Sequence, residues 1–184
     1  VAVNWRDPKF ARDFWAFKKP VKPDLPTVQN SAWPRSDIDR FVLAAVEAQG
    51  LRMVGDADRA SLARRAYFDL LGLPPTPKTV ENFTRSNDPT AWARLIDMLL
   101  ESESFGEKWG RHWLDVARYA ESSGKEANIT FPHAWRYRDY VVNSFNADKP
   151  YDRFVQEQIA GDLLFGKSSE EKAELIVATG FLAL

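Results

Sequence analysis

Cysteine is absent from this chain of 184 residues. That one absence excludes disulfides, Cys-ligated zinc, iron–sulfur clusters, thiol nucleophiles and C-x-x-C-H haem attachment together. Histidine is scarce, at 2 residues, so a metal site would need carboxylates to complete it, and nothing fixes their spacing. The net charge is −1, from 25 Lys and Arg against 26 Asp and Glu, which removes the usual motive for binding nucleic acid. Charges interrupt every hydrophobic stretch, so no run approaches the roughly 20 apolar residues that span a bilayer. Glycine-rich phosphate loops, H-E-x-x-H, G-x-S-x-G and EF-hand spacings are all missing. So are the alternating segments that signal strands and any repeat of about 20 to 50 residues.

What is present is a rich supply of core-forming side chains, 45% hydrophobic and 13% aromatic with 7 Trp. The length fits one domain of about 100–200 residues. Residues 1–34 differ from the rest. Trp5, Phe10, Phe14, Trp15, Phe17 and Trp33 alternate with Pro8, Pro20, Pro23, Pro26 and Pro34. Proline at that density prevents long helices, while aromatics at that density favour burial. An extended arm packed on a helical body meets both demands, and an interdomain linker is the other option.

Residues 35–184 read as a helical domain. Ser36 and Asp39 form a capping box ahead of the stripe Ile38, Phe41, Val42, Ala45 and Val46, with Gly50 placed to end the helix. A second helix is predicted from about Asp58 to Leu71, with Leu62, Ala66, Tyr67 and Leu70 inward and Gly72 at its stop. After Pro74, Pro75 and Pro77, Thr76 can cap a short helix carrying Val80 and Phe83. Asp88-Pro89 precedes a helix whose core face is Trp92, Leu95, Ile96, Leu99 and Leu100. Ser104 and Glu107 suggest a box opening a helix that reaches about Ala120. Ser122 to Thr130, with Gly124, reads as a loop. Pro132 suits the start of a helix with Tyr137, Val141, Val142 and Phe145 inward. Pro150 opens another with Phe154, Val155 and Ile159, and Ser168 with Glu171 opens a last one with Leu175, Ile176 and Thr179. The expected fold is all-α, an irregular bundle of about six to eight helices behind the Pro- and aromatic-rich arm.

The densest polar constellation is Lys108-Trp-Gly-Arg-His-Trp-Leu-Asp-Val-Ala-Arg-Tyr-Ala-Glu121, followed by His133-Ala-Trp-Arg-Tyr-Arg-Asp-Tyr140. On a helix Asp115 is within reach of Arg111, His112, Arg118 and Tyr119, and cations nearby would keep it ionised. With Glu121 and Lys125 at the loop entrance and Arg136 and Asp139 on the next helix, these residues could line a polar pocket. An ion-pair network that fixes helix packing accounts for the same residues. His112 is either a packed histidine or a general base, and His133 either an exposed cap residue or a ligand. Gln158 and Asp162 either join the pocket or cap a helix end. Trp5, Trp15, Trp33 and Trp135 could stack on sugar rings or serve as packing.

The strings Phe14-Trp-Ala-Phe17, Ile38-Asp-Arg-Phe41, Phe68-Asp-Leu-Leu-Gly-Leu-Pro-Pro-Thr-Pro77, Phe105-Gly-Glu-Lys-Trp109, His112-Trp-Leu-Asp-Val-Ala-Arg-Tyr-Ala120, Ala134-Trp-Arg-Tyr-Arg-Asp-Tyr-Val141, Pro150-Tyr-Asp-Arg-Phe154 and Gln158-Ile-Ala-Gly-Asp-Leu-Leu164 occur in the order seen in one family. Over nearly its whole length the chain resembles the domain of unknown function that accompanies the planctomycete-type cytochrome c domain, a PSCyt-type domain of large exported proteins. The resemblance implies a cytochrome c-type domain before this one and a second uncharacterised domain after it, with residues 177–184 at that junction. It implies that haem belongs to a neighbour, that no cofactor sits in this chain, and that the setting is the periplasm or cell surface. The chain departs from the family pattern at Ser122-Ser-Gly-Lys-Glu126 and Phe131-Pro-His133, where relatives carry an acidic Asp-Gly loop and an Arg-Pro.

Two functions follow from the residues and this context. In one, the domain contributes part of a substrate pocket for carbohydrate-related chemistry. Asp115 or Glu121 would handle protons there, and Arg118 and Arg136 would hold an anionic or hydroxyl-rich substrate. In the other, it is a non-catalytic helical scaffold that docks the flanking domains. Neither involves nucleic acid or a membrane span.

Overall fold

A computed structural model describes residue 12 and residues 14–124 and 126–183. Trp5, Pro8 and Phe10 of the expected arm, and Lys125 of the expected pocket, lie outside the described residues. Among the described residues there are eight α-helices and one isolated bridge, between Ser122 and Thr130, so the fold is all-α. The helices are α1 (Asp37–Ala48), α2 (Arg59–Leu71), α3 (Pro77–Arg85), α4 (Ala91–Leu100), α5 (Glu103–Val116), α6 (Ala134–Asn146), α7 (Tyr151–Ala160) and α8 (Ser169–Ala178). Short 3₁₀ turns occupy Trp15–Phe17, Gly161–Leu163 and Thr179–Ala183. Among these helices none is long and apolar enough to cross a membrane. The chain divides into two compact units, one ending at Asp56 and the other starting at Ala57.

In the first unit residues 19–28 carry no regular structure, and a turn in which the Trp33 amide donates to the Asn30 carbonyl at 3.4 Å leads toward α1. Ser36 and Asp39 make the reciprocal capping box, and Gly50, at φ 69°, ends the helix with the Leu51 amide donating to the Val46 carbonyl at 3.2 Å. This is a Schellman closure, for which glycine is suited because it has no Cβ to clash in the left-handed region. The expected apolar stripe is not the buried face. Ile38 is 74% exposed, and Phe41, Val42 and Ala45 are exposed too, whereas Leu43 is buried. The reason lies in the preceding segment. The backbone amides of Gln29 and Asn30 donate to the Glu47 carboxylate at 2.8 and 3.0 Å, which anchors that segment beside Leu43 and Glu47.

The second unit holds two cores. Ala63, Ala66, Phe83, Ala91, Leu95 and Leu99 form the first, from α2, α3 and α4. The predicted Thr76 cap is present, accepting from the Thr79 amide, and Asp58, at the predicted start of α2, caps it by accepting from the Ser61 amide. Gly72 adopts the left-handed conformation that closes α2. Asp88 accepts from both the amide and hydroxyl of Thr90 at 2.7 Å, so its turn leads into α4 rather than capping it directly. Trp92 and Leu100 of the expected core face are exposed, because the small residue Ala91 takes the buried position. Trp92 leans on Phe83 with ring centroids 6.1 Å apart.

The second core comes from α5 to α8 and centres on Tyr137, Tyr140, Val141 and Phe154. Here α5 and α6 run antiparallel, Gly106 lying against Val142 and Asn146, and Gly110 against Val141 and Val142. A Cβ at Gly106 would sit 2.5 Å from the Val142 carbonyl oxygen, so only glycine allows this approach. The same contact supplies the cap of α5. Ser104 and Glu107 do not form the expected box, and the N-cap Ser102 makes no side-chain cap bond. Instead the Asn146 side chain accepts from the Gly106 amide at 2.7 Å and donates to the Glu103 carbonyl at 3.1 Å. The Ser168 cap of α8 is as predicted. Ile159 and Ile176, expected inward, are exposed, and the polar Glu157 and Gln158 are buried in their place.

Glu157, 5% exposed, accepts from Tyr140 Oη at 2.8 Å, Lys149 Nζ at 2.6 Å and Arg153 Nε at 2.7 Å. Burial pushes its carboxyl up. The Lys149, Tyr140 and Arg153 hydrogen bonds outweigh that effect and hold it below the ordinary value. Burial and the bond to Glu157 push the Tyr140 phenol well up.

Two predictions arise from this packing. Gly106→Ala should destabilise the fold by about 1–3 kcal/mol, the usual cost of forcing atoms into a filled core, measured by denaturant unfolding. Glu157 is depressed in the folded state relative to an unfolded value of about 4.3. Its contribution to stability is therefore present above that pH and lost as pH falls through the folded pKa. Melting temperature should drop below about pH 4, and Glu157→Gln should flatten that acid slope while lowering stability at neutral pH.

Candidate functional site

The site begins where α5 stops. The helix ends at Val116, short of the expected Ala120, because Arg118 takes a left-handed backbone with φ 57°. Its amide donates to the Asp115 carbonyl at 3.2 Å and the Tyr119 amide to the Leu114 carbonyl at 2.9 Å. This is the same Schellman closure as at Gly50, with arginine where glycine is usual. For a side chain with a Cβ the left-handed region costs roughly 1–2 kcal/mol. The chain then folds back as a narrow loop. Ser123 donates to Ile129 at 2.9 Å and Phe131 to Glu121 at 2.8 Å, which carries the chain into His133 at the head of α6.

Between this loop, α6 and the end of α8 lies a cleft of about 360 Å³. Phe131, Tyr137, Ile176, Val177 and Gly180 supply an apolar lining, and Arg118, His133 and Arg136 supply the polar groups. Among the described residues Arg118 and Arg136 have no carboxylate partner. The Arg136 guanidinium lies 5.5 Å from the Trp135 ring centre. A cleft with positive, multidentate donors over an apolar floor suits an anion attached to a ring or carbon skeleton.

Beside it runs a separate polar cluster. Tyr119 Oη donates to Glu121 Oε1 at 2.9 Å, and Arg138 reaches the same oxygen at 2.9 Å. Arg138 also holds Asp139 Oδ1, at 3.0 to 3.1 Å. Burial, then the bond to Glu121, pushes the Tyr119 phenol up to about 12. The hydrogen bond to Asp139 raises Arg138 above its ordinary value.

Of the candidate residues, then, Arg118 and Arg136 share the cleft, while Tyr119, Glu121 and Asp139 are joined by Arg138. Sequence reasoning passed over Arg138, although it stands between two named candidates, because a second arginine in Arg136-Tyr-Arg-Asp139 carries no separate signal. His112 and Asp115 lie elsewhere. His112 is exposed and packs its ring 5.3 Å from that of Trp109. Asp115 is exposed, 4.0 Å from Arg111. Asp115 and Arg118 part company because the left-handed turn at Arg118 breaks the helical spacing that would have kept them together.

Gln158 is buried at the heart of the unit. Its Oε1 accepts from Trp113 Nε1 at 2.8 Å and from Tyr137 Oη, and Trp113 Nε1 also reaches Tyr137 Oη at 3.0 Å. Burial pushes the Tyr137 phenol up to about 12, partly offset by the bond from Trp113. This triad fixes the Tyr137 ring that floors the cleft. Among the described residues no three His, Asp or Glu side chains converge as metal ligands would.

Fold and site together define an all-α domain with an aromatic core, satisfied internal polar groups and a basic cleft at one helix junction. Residues 37–184 match the PSCyt2 family, described as a protein of unknown function (DUF1549), and the chain belongs to that family. The match opens at the first residue of α1 and takes in all eight helices. No curated protein and no solved structure matches the chain.

Because Arg118 holds a conformation that glycine adopts freely, Arg118→Gly should stabilise the fold by about 1 kcal/mol in denaturant unfolding. Arg118→Ala, which keeps the strain and loses the guanidinium, should not stabilise it.

Proposed function

We propose that this domain contributes a binding cleft for an acidic, carbohydrate-derived ligand within a larger exported protein. That protein would also carry a cytochrome c-type domain and a following uncharacterised domain, and it would work in the periplasm or at the cell surface. The observation that carries this proposal is the pair Arg118 and Arg136, two arginines without carboxylate partners that line one largely apolar cleft. Unpaired surface arginines are ordinary, but one of these is held there by a backbone conformation that disfavours it.

In this proposal Arg118 and Arg136 grip the ligand's anionic group by forked hydrogen bonds. Tyr137 and Phe131 present apolar surface to the ring. Glu121, which follows Ala120 of the lining in sequence, would exchange a proton with the ligand. It would do so from a network in which Tyr119 and Arg138 already hold it. Asp115, exposed beside Arg111, takes no such part. Any haem is the work of a neighbouring domain, since a chain without cysteine has no thioether attachment of its own.

The scaffold alternative has its own support. Leu163 and Phe165, 81% and 88% exposed, follow α7 in sequence, and Ile159 near its end is exposed too, apolar side chains suited to covering by another domain.

Calorimetric titration with a uronic-acid disaccharide and with its neutral counterpart separates the two. The acidic sugar should bind at least about tenfold more tightly, and Arg136→Ala should remove that preference with little change in melting temperature. Equal affinity for both sugars, or binding of neither, overturns the cleft and leaves the scaffold.

A further inference from the structure

A second cleft, of about 280 Å³, is lined by Trp113. Its walls are aromatic. Trp113 meets Phe154 edge-on at 4.9 Å and Tyr151 at 6.4 Å, and Phe145 meets Phe154 at 6.1 Å. Tyr151 stands 71% exposed, as a rim residue free to receive a ligand. Two charged groups line this cleft, Asp148 and Lys149.

Their situations are opposite. The Lys149 ammonium is 2.6 Å from Glu157 and 3.6 Å from Glu174, and it lies 4.6 Å from the Tyr140 ring centre. Arg153, the other cation close by, is bound to Glu157 at 2.7 Å. Both positive charges are thus committed to the buried carboxylate and its neighbour. Asp148 has no ion pair or side-chain hydrogen bond among the described residues. It also holds a left-handed backbone, φ 47°, closing α6 through the Lys149 amide and the Ser144 carbonyl at 3.0 Å. Arg118 and Asp148 are the two non-glycine residues with positive φ among the described residues. Each lines one of the two clefts flanking the Trp113–Tyr137 hydrogen bond.

We infer that the Asp148 cleft is a binding site for a small organic ammonium ion. Aromatic faces attract a cation through their ring quadrupoles, and an uncompensated carboxylate at the mouth adds direct charge pairing. An anion would meet Asp148 at close range, and a neutral apolar ligand would gain nothing from it. The site is distinct from the Arg118 cleft, and neither depends on the other for its ligand.

The test uses choline and its uncharged isostere 3,3-dimethylbutan-1-ol, followed by the shift of the Trp113 indole N–H and the Tyr151 ring signals in NMR titrations. Choline should shift both signals and bind at least about tenfold more tightly than the isostere. Asp148→Asn should reduce choline binding to the level of the isostere. Asp148→Gly, which suits the left-handed backbone, does the same job should the Asn variant fold poorly. Tyr151→Ala should weaken choline as well. Equal affinities for choline and the isostere, unchanged choline binding in the Asp148 variants, or no shift by about 50 mM choline would overturn the inference. None of these results bears on sugar binding at Arg136, so the two proposals stand or fall separately.

Discussion

Two backbones pass unusually close where Gly106 and Gly110 of α5 meet Val142 and Asn146 of α6. That approach is the constraint on which the second core rests. It brings Asn146 to the first turn of α5, where it caps a helix whose own residues do not. One to two turns further on, it brings Trp113 within hydrogen-bonding range of Tyr137. With that pair fixed, Gln158 of α7 can serve two donors from the interior. A wider crossing would leave a buried indole N–H, a phenol and an amide without partners, each costing about 1–3 kcal/mol.

The polar groups of the second unit are sorted by depth. Among the described residues no buried side-chain nitrogen or oxygen lacks a partner, and the buried Glu157 carboxylate takes three donors. Arg118, Arg136 and Asp148, which make no ion pair among the described residues, each line a cleft. In a low-dielectric interior an unpaired charge is prohibitive. At a cleft edge it costs little and remains available to a ligand. The two clefts differ in their unpaired charge, arginine in one and Asp148 in the other, and they are linked by the hydrogen bond between Tyr137, which lines the first, and Trp113, which lines the second.

Much of the fold was legible before any coordinates. Ser36 with Asp39, Thr76 and Ser168 cap helices as their spacing implies, because a cap is a matter of a few neighbouring residues. The inward positions Ala66, Phe83, Leu95, Leu99, Tyr137, Val141, Phe154 and Leu175 follow from helical periodicity and are buried. Periodicity failed at Ile38, Ile159 and Ile176. It ranks faces by hydrophobicity, whereas burial depends on which neighbour arrives. At α1 the arrival was the Gln29–Asn30 segment, and at α7 the polar face won because Trp113 and Tyr140 brought donors to it.

The candidate site was half legible for a related reason. Arg118 and Arg136 were named from a polar string and do share a cleft, yet Asp115, close to Arg118 in sequence, is elsewhere. Helical spacing predicts neighbours only while the helix lasts, and α5 ends at a left-handed arginine that no glycine announces. By itself, then, the sequence determined the helical class, most helix starts, the exclusion of cysteine chemistry and the family resemblance, since these rest on composition and short-range spacing. Only the tertiary structure decided that Asn146 caps α5, that Gln158 and Glu157 lie inside, and that Arg118 and Arg136 share one cleft while Asp148 lines another. Those outcomes join residues tens of positions apart, and the packing of glycine against backbone at the α5–α6 crossing is what brings them together.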